Sequence, residues 1–211
     1  MKRFTTVRNR HDGTRRTVCV GRDGGIASAP DASARGSGHA LRLALTRIGT
    51  DATQGNDGLT LIGVFKLADG GSFAGLDPRA RGARLVLQSG AGATRLDVTL
   101  PPGAYAGRGT RGWTPNRPRT TWTFKDATGS PTSGITFVRI RNRDQQATRE
   151  VRVRISGRRG TYPVVAGDEP IRAAVVLGDQ GDAAAGSCGE SAFTAADCSF
   201  NQGGTILSCG R

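Results

Sequence analysis

Beyond residue 39 the chain has no histidine, since the only two are His11 and His39. A catalytic Ser or Cys is usually activated by an imidazole base, so most of the chain lacks that partner. Neither Ser187 nor Cys188 stands in a nucleophile-elbow or papain-like motif. Glutamate is scarce too, with only Glu150, Glu169 and Glu190. A hydrolase using a carboxylate pair would draw on these and the aspartates. The densest acidic spot, Asp168-Glu169 before Pro170, reads as a solvated turn between strands. No enzymatic activity and no cofactor are expected.

Long apolar runs are missing as well. Nothing approaches the ~18 apolar residues of a membrane span. Arg15-Arg16 suggests a twin-arginine signal and Cys19 a lipidation site, but Thr17 to Val20 runs straight into Gly-Arg-Asp-Gly-Gly. An export signal needs roughly 7 to 15 apolar residues after its charges. The chain as written carries no signal peptide, so it is expected either to remain cytoplasmic or to have its true start upstream of Met1.

Lysine occurs only at Lys2, Lys66 and Lys125, so the formal charge of +13 is almost wholly arginine. One explanation is a solvated Arg-bearing surface in a chain whose Ala and Gly content follows GC-rich codons. The other is a polyanion-binding face, which would hold phosphate or sulfate by counterion release without reading a specific nucleic acid sequence.

Aromatic residues make up only 5%, while glycine, at 32 of 211, is about twice its usual ~7%. Turns are abundant and the core must rest on small aliphatics. Alternating strands are predicted at Leu41–Ile48, Leu59–Leu67, Arg84–Gln88, Leu96–Leu100, Thr121–Lys125, Ile135–Arg141, Val151–Ser156 and Ile171–Leu177, with two short ones around Cys198 and Ile206. Only Ser72–Asp77 suggests a helical turn. The pattern predicts an all-β fold, an antiparallel β-sandwich of Ig-like or jelly-roll-like kind. The segments RLVLQSGAGATRLDVTLPPGAY and VRVRISGRRGTYPVVAGDEPI are only loosely alike, which favours a single domain at 40–211 over two tandem modules. Residues 1–39 have no apolar face and a net charge of +5, and are expected to be a disordered basic leader.

Three of the four cysteines, Cys188, Cys198 and Cys209, crowd the C-terminal end. Taking Gly203-Gly204 as a two-residue hairpin loop pairs Cys198 with Cys209 and Phe200 with Leu207, all on one face. That count makes Cys198 and Cys209 a hydrogen-bonded pair, less suited to a disulfide than the alternate sites, and Cys188 is a possible partner for either. The pairing stays open. A disulfide tying down the last strands is expected in an oxidising compartment. A zinc site is not, because no Cys-x-x-Cys knuckle or nearby His supplies four ligands.

Three further groups bear on binding. In GTDATQGNDG, Asp51, Asn56 and Asp57 offer oxygens to calcium, but the spacing is not that of an EF-hand and a polar turn is the default. Arg139 and Arg141 on one strand would neighbour Arg152 and Arg154 on the next if the two form a hairpin, making a guanidinium patch. Trp113 and Trp122 flank TPNRPRT and either stack on a sugar or base or pack the edge of the core.

The segments GTYPVVAGDEPIRAAVVLGD, SCGESAF and CSFNQGGTILSC resemble the ends of uncharacterised exported β-sandwich domains of GC-rich bacteria. The likeness spans the region from Leu41 onward and lies in a closing strand after a Tyr-Pro turn followed by a Cys-rich hairpin. It implies an extracellular or periplasmic location and no particular activity. The leading expectation is a non-catalytic structural or adhesion-type module; the alternative is a module binding a glycan or other polyanion.

Overall fold

The computed structural model describes residues 40–46, 53–67, 71–178 and 187–210, the first range by its backbone alone. The leader 1–39, with Cys19 and both histidines, and Asp51 lie outside the described residues. The chain forms two antiparallel sheets. The larger has the order β11 (Cys198–Phe200), β12 (Ile206–Cys209), β1 (Ala40–Thr46), β2 (Asp57–Lys66), β8 (Glu150–Gly160), β7 (Ile135–Asn142), β6 (Thr121–Asp126) and β5 (Arg111–Pro115). The smaller runs β10 (Cys188–Phe193), β9 (Ile171–Val176), β3 (Ala83–Gln88) and β4 (Thr94–Leu100). Among the described residues no helix is long and apolar enough to cross a membrane.

Period-two alternation builds this architecture as expected. Along β8, Val151, Val153 and Ile155 are buried while Arg152 and Arg154 are exposed. One apolar cluster draws Leu61, Phe65, Val153 and Ile155 from the larger sheet and Leu85, Leu87, Val98 and Val175 from the smaller, the mark of two layers sharing a core. Close approach between the layers depends on Gly189 of β10, where a Cβ would stand 2.5 Å from the ring of Phe65. The two loosely similar segments fill different places, one forming the β3–β4 hairpin and the other β8 with its link to β9.

A short helix and two strands are among the elements that went beyond the sequence reading. After a 3-10 turn at Phe73–Gly75, a short helix, α1 (Pro78–Arg81), starts where Asp77 Oδ1 accepts from Arg79 N at 3.1 Å. β5 lies in a Gly- and Pro-rich stretch without alternation. It exists because both its edges are paired: β6 lies on one side, and on the other Trp113 N donates to Gly103 O at 2.9 Å. β10 contains Gly189 and Glu190 and takes its strand form from full pairing with β9.

The C-terminal hairpin keeps the expected register, with Cys198 opposite Cys209 and Phe200 opposite Leu207. Its loop is longer than two residues, however. Asn201 N donates to Ile206 O at 2.9 Å, and Asn201 Oδ1 accepts from Thr205 N and Ile206 N, leaving four residues in the turn. The hydrogen-bonded pairs are therefore 201/206 and 197/210, and Cys198–Cys209 falls on the closer, non-hydrogen-bonded site. Its Cα atoms are 4.1 Å apart and the two sulfurs are bonded. The expectation of an ill-suited site is corrected by that shift in parity. Cys188 is disulfide-bonded as well.

Candidate functional site

Trp113 is 1% and Trp122 4% exposed, so neither ring is available to stack on a ligand, and that expectation is corrected in favour of core packing. Pairing of β5 with β6 sets Trp113 opposite Phe124 and turns both inward, with ring centroids 5.1 Å apart. The indole N–H of Trp113 donates to Pro101 O at 3.0 Å, and the Arg79 guanidinium lies 5.2 Å above Trp122.

The arginine patch is formed as proposed. β7 and β8 are neighbours, with Arg139 directly opposite Arg154 and Arg141 directly opposite Arg152. All four are exposed on the outer face of two central strands of the larger sheet. Directly opposed Cβ atoms are about 5 Å apart and alternate residues on a strand about 7 Å, so the guanidiniums are rooted in a compact rectangle. None of the four pairs with a carboxylate among the described residues. The acidic residue of this hairpin's outer row, Glu150, is held by Arg143 at 2.8 Å.

The smaller sheet treats its arginines differently. Arg84 Nε donates to Asp97 Oδ1 at 2.7 Å, Arg172 pairs with Glu190 at 2.5 Å, and Arg95 pairs with Asp168. Asp168 is buried, and its other oxygen accepts from Val165 N at 2.8 Å. The Asp168-Glu169 turn is thus a latch between β4 and the approach to β9, which corrects its reading as a solvated turn.

The candidate calcium ligands divide. Asn56 is half-buried, and Asp57 is buried with its Oδ2 accepting from Tyr162 N at 2.6 Å, so that carboxylate fastens the segment after β8 to the start of β2. No group of three or more His, Cys, Asp or Glu suited to a metal occurs among the described residues.

A cavity of about 450 Å³, not foreseen from sequence, opens where β6, β7 and β8 end together. Its walls include Tyr105, Lys125, Asp126, Thr136, Arg158 and Arg159. Asp126 anchors the wall, its Oδ1 accepting from Thr128 N and Oγ1 at 2.9 Å and from Gly129 N at 3.0 Å. Burial opposes the charge on this carboxyl, but the hydrogen bonds from Gly129, Thr128 and Thr132 outweigh it and hold the pKa below its ordinary 3.8. A folded-state pKa below the unfolded one gives stability that is present above about pH 4 and lost as the pH falls through the depressed value. Urea melts between pH 2 and 6 should show a smaller acid loss for Asp126→Asn than for the wild type. An equal loss would place the acid sensitivity elsewhere. The sequence signal for the cavity was Gly157-Arg158-Arg159-Gly160, since glycines inside a strand pattern mark a bulge.

Comparison with known proteins adds no relative: no family model, curated protein or solved structure matches the chain.

Proposed function

We propose that this domain is a non-catalytic, adhesion-type module of an exported bacterial protein, and that it adheres to a polyanion through the outer face of its larger sheet. The contrast between the sheets carries the reading. On the smaller sheet Arg84, Arg95 and Arg172 each hold a carboxylate, while at the centre of the larger one four arginines face one another with no carboxylate partner among the described residues. Like charges directly opposed across strands destabilise a sheet. An arrangement that lowers stability and concentrates positive charge is what a linear phosphate- or sulfate-bearing polymer recognises, through Coulomb attraction and counterion release. The burial of Trp113 and Trp122 favours charge over ring stacking. The Cys198–Cys209 disulfide supports an oxidising compartment.

Binding to heparin and to long-chain polyphosphate at graded salt tests this. Replacing Arg139, Arg141, Arg152 and Arg154 together by Thr, a good strand former, should weaken binding to both polymers at least 100-fold at low salt. It should also flatten the plot of log K against log salt by about 3, at roughly 0.7 to 0.9 per lost contact. The melting temperature should hold or rise as the repulsion is relieved. Wild-type protein that binds neither polymer, or a variant that binds as well as the wild type, would sink the proposal.

A further inference from the structure

We infer that the cavity beside Arg159 is an oxyanion subsite, taking the phosphate or sulfate ester of a sugar-sized group at the end of a polyanion laid along the arginine face. The polymer's presence rests on the function proposed above; the cavity's own affinity for the anion does not.

Consecutive residues of a regular strand point to opposite faces, yet Arg158 and Arg159 line the same cavity. The cause is a bulge. β2 and β8 slip in register where Asp57 faces Gly160 and Gly58 faces Arg158, leaving Arg159 without a partner at φ +56°. Left-handed backbone disfavours a residue with a Cβ and suits glycine, so the local geometry gives no reason for an arginine here. Such outliers collect at binding sites. This one brings a second arginine to the lining of a space that already has one.

Lys125 supplies a third cation, its ammonium 5.3 Å from the centre of the Tyr105 ring. Against these stands one carboxylate, Asp126, whose Oδ1 accepts from Thr128 N and Gly129 N of the loop that forms the wall. The lining therefore carries two net positive charges. That loop is fixed before any ligand arrives: Thr132 Oγ1 lies 2.7 Å from Ile135 O, and Arg158 N donates to Gly134 O at 2.7 Å. A preformed wall spares a ligand the cost of ordering it. About 450 Å³ exceeds what a bare oxyanion fills and suits a ring attached to one.

Position ties the cavity to the sheet face. Outward-facing rows along β7 and β8 run from Arg141 with Arg152, through Arg139 with Arg154, to Phe137 with Ser156, where Lys125 stands opposite Phe137. The next step along β8 is Arg158. A chain on the arginine rectangle thus ends at the cavity.

Amide NMR titration of the full chain tests the subsite, using sodium sulfate and sodium phosphate in separate arms with ionic strength held constant by chloride. Glucose 6-phosphate against glucose measures the contribution of the ring. The expected result is saturable shifts at residues 126–129 and 158–160 with either anion, and at least tenfold weaker binding in Arg159→Gly and in Arg158→Thr. Arg159→Gly keeps the bulge conformation, and its melting temperature should hold or rise, so misfolding cannot imitate the loss. The fourfold Thr variant should keep the anion shifts while losing heparin. Shifts that do not saturate, that survive Arg159→Gly, or that vanish in the fourfold variant would overturn the subsite. Loss of heparin binding alone bears on the face, and loss of the inorganic anion alone on the cavity.

Discussion

Gly157→Ala should destabilise the domain by about 3 kcal/mol, at the upper end of what overpacking a core costs. A Cβ at Gly157 would stand 2.1 Å from Tyr162 Oη and 3.2 Å from both Gly134 O and Ile135 Cδ1. Tyr162 is fully buried and cannot swing away, because its ring also lies over Gly160, where a Cβ would be 2.4 Å from Cζ. Its backbone is pinned by Asp57. Burial, and then the Asp57 charge, push the phenol pKa well above its usual range, so the hydroxyl is neutral at every working pH. The hydroxyl has no hydrogen-bond partner among the described residues, so Tyr162→Phe should cost little. It removes the atom that meets the new Cβ, and Gly157→Ala should be partly rescued in that background, with a coupling of about 1 kcal/mol or more. Equilibrium urea unfolding of the four proteins measures the cycle. Additive effects would mean that the glycine serves something other than the tyrosine ring.

Replacing Cys198 and Cys209 together by Ser should cost about 3 kcal/mol, the loop-closure entropy for a link of this span, given a sequence separation of 11. The bond fastens β11, three residues long and at the rim of the sheet, to β12, whose Leu207 is fully buried in the core. Without it β11 has little besides one short ladder to hold it, so hydrogen exchange should quicken in β11 and β12 before the central strands. Protection lost uniformly across the sheet would contradict a role confined to this edge. Alkylation of the denatured, unreduced wild type should leave Cys188, Cys198 and Cys209 unlabelled, since all three are disulfide-bonded.

Much of this fold was legible because a half-buried strand writes itself into sequence with period two. Val151, Val153 and Ile155 alternating with Arg152 and Arg154 declared a strand, a buried face and an arginine face at once. The same reasoning set Cys198 opposite Cys209 in register but left open which cysteines bond. It missed β5 and β10, whose backbones are held by paired edges rather than by an apolar pattern. It also took the loop of the last hairpin as two residues, because the Asn201 side chain that closes the longer turn leaves no mark on alternation.

Composition and periodicity by themselves determined an antiparallel all-β chain, the inward and outward members of its main strands, and an excess of arginine over acid. Only the tertiary structure decided which arginines are neutralised. Ion pairs join residues far apart in the chain, such as Arg95 with Asp168, and depend on which strands become neighbours. The same dependence buried the two tryptophans, set Gly157 beneath Tyr162, and gathered Lys125, Arg158 and Arg159 around one cavity. Local sequence fixes which side of a strand a residue takes; what it meets there is fixed by segments a hundred residues away.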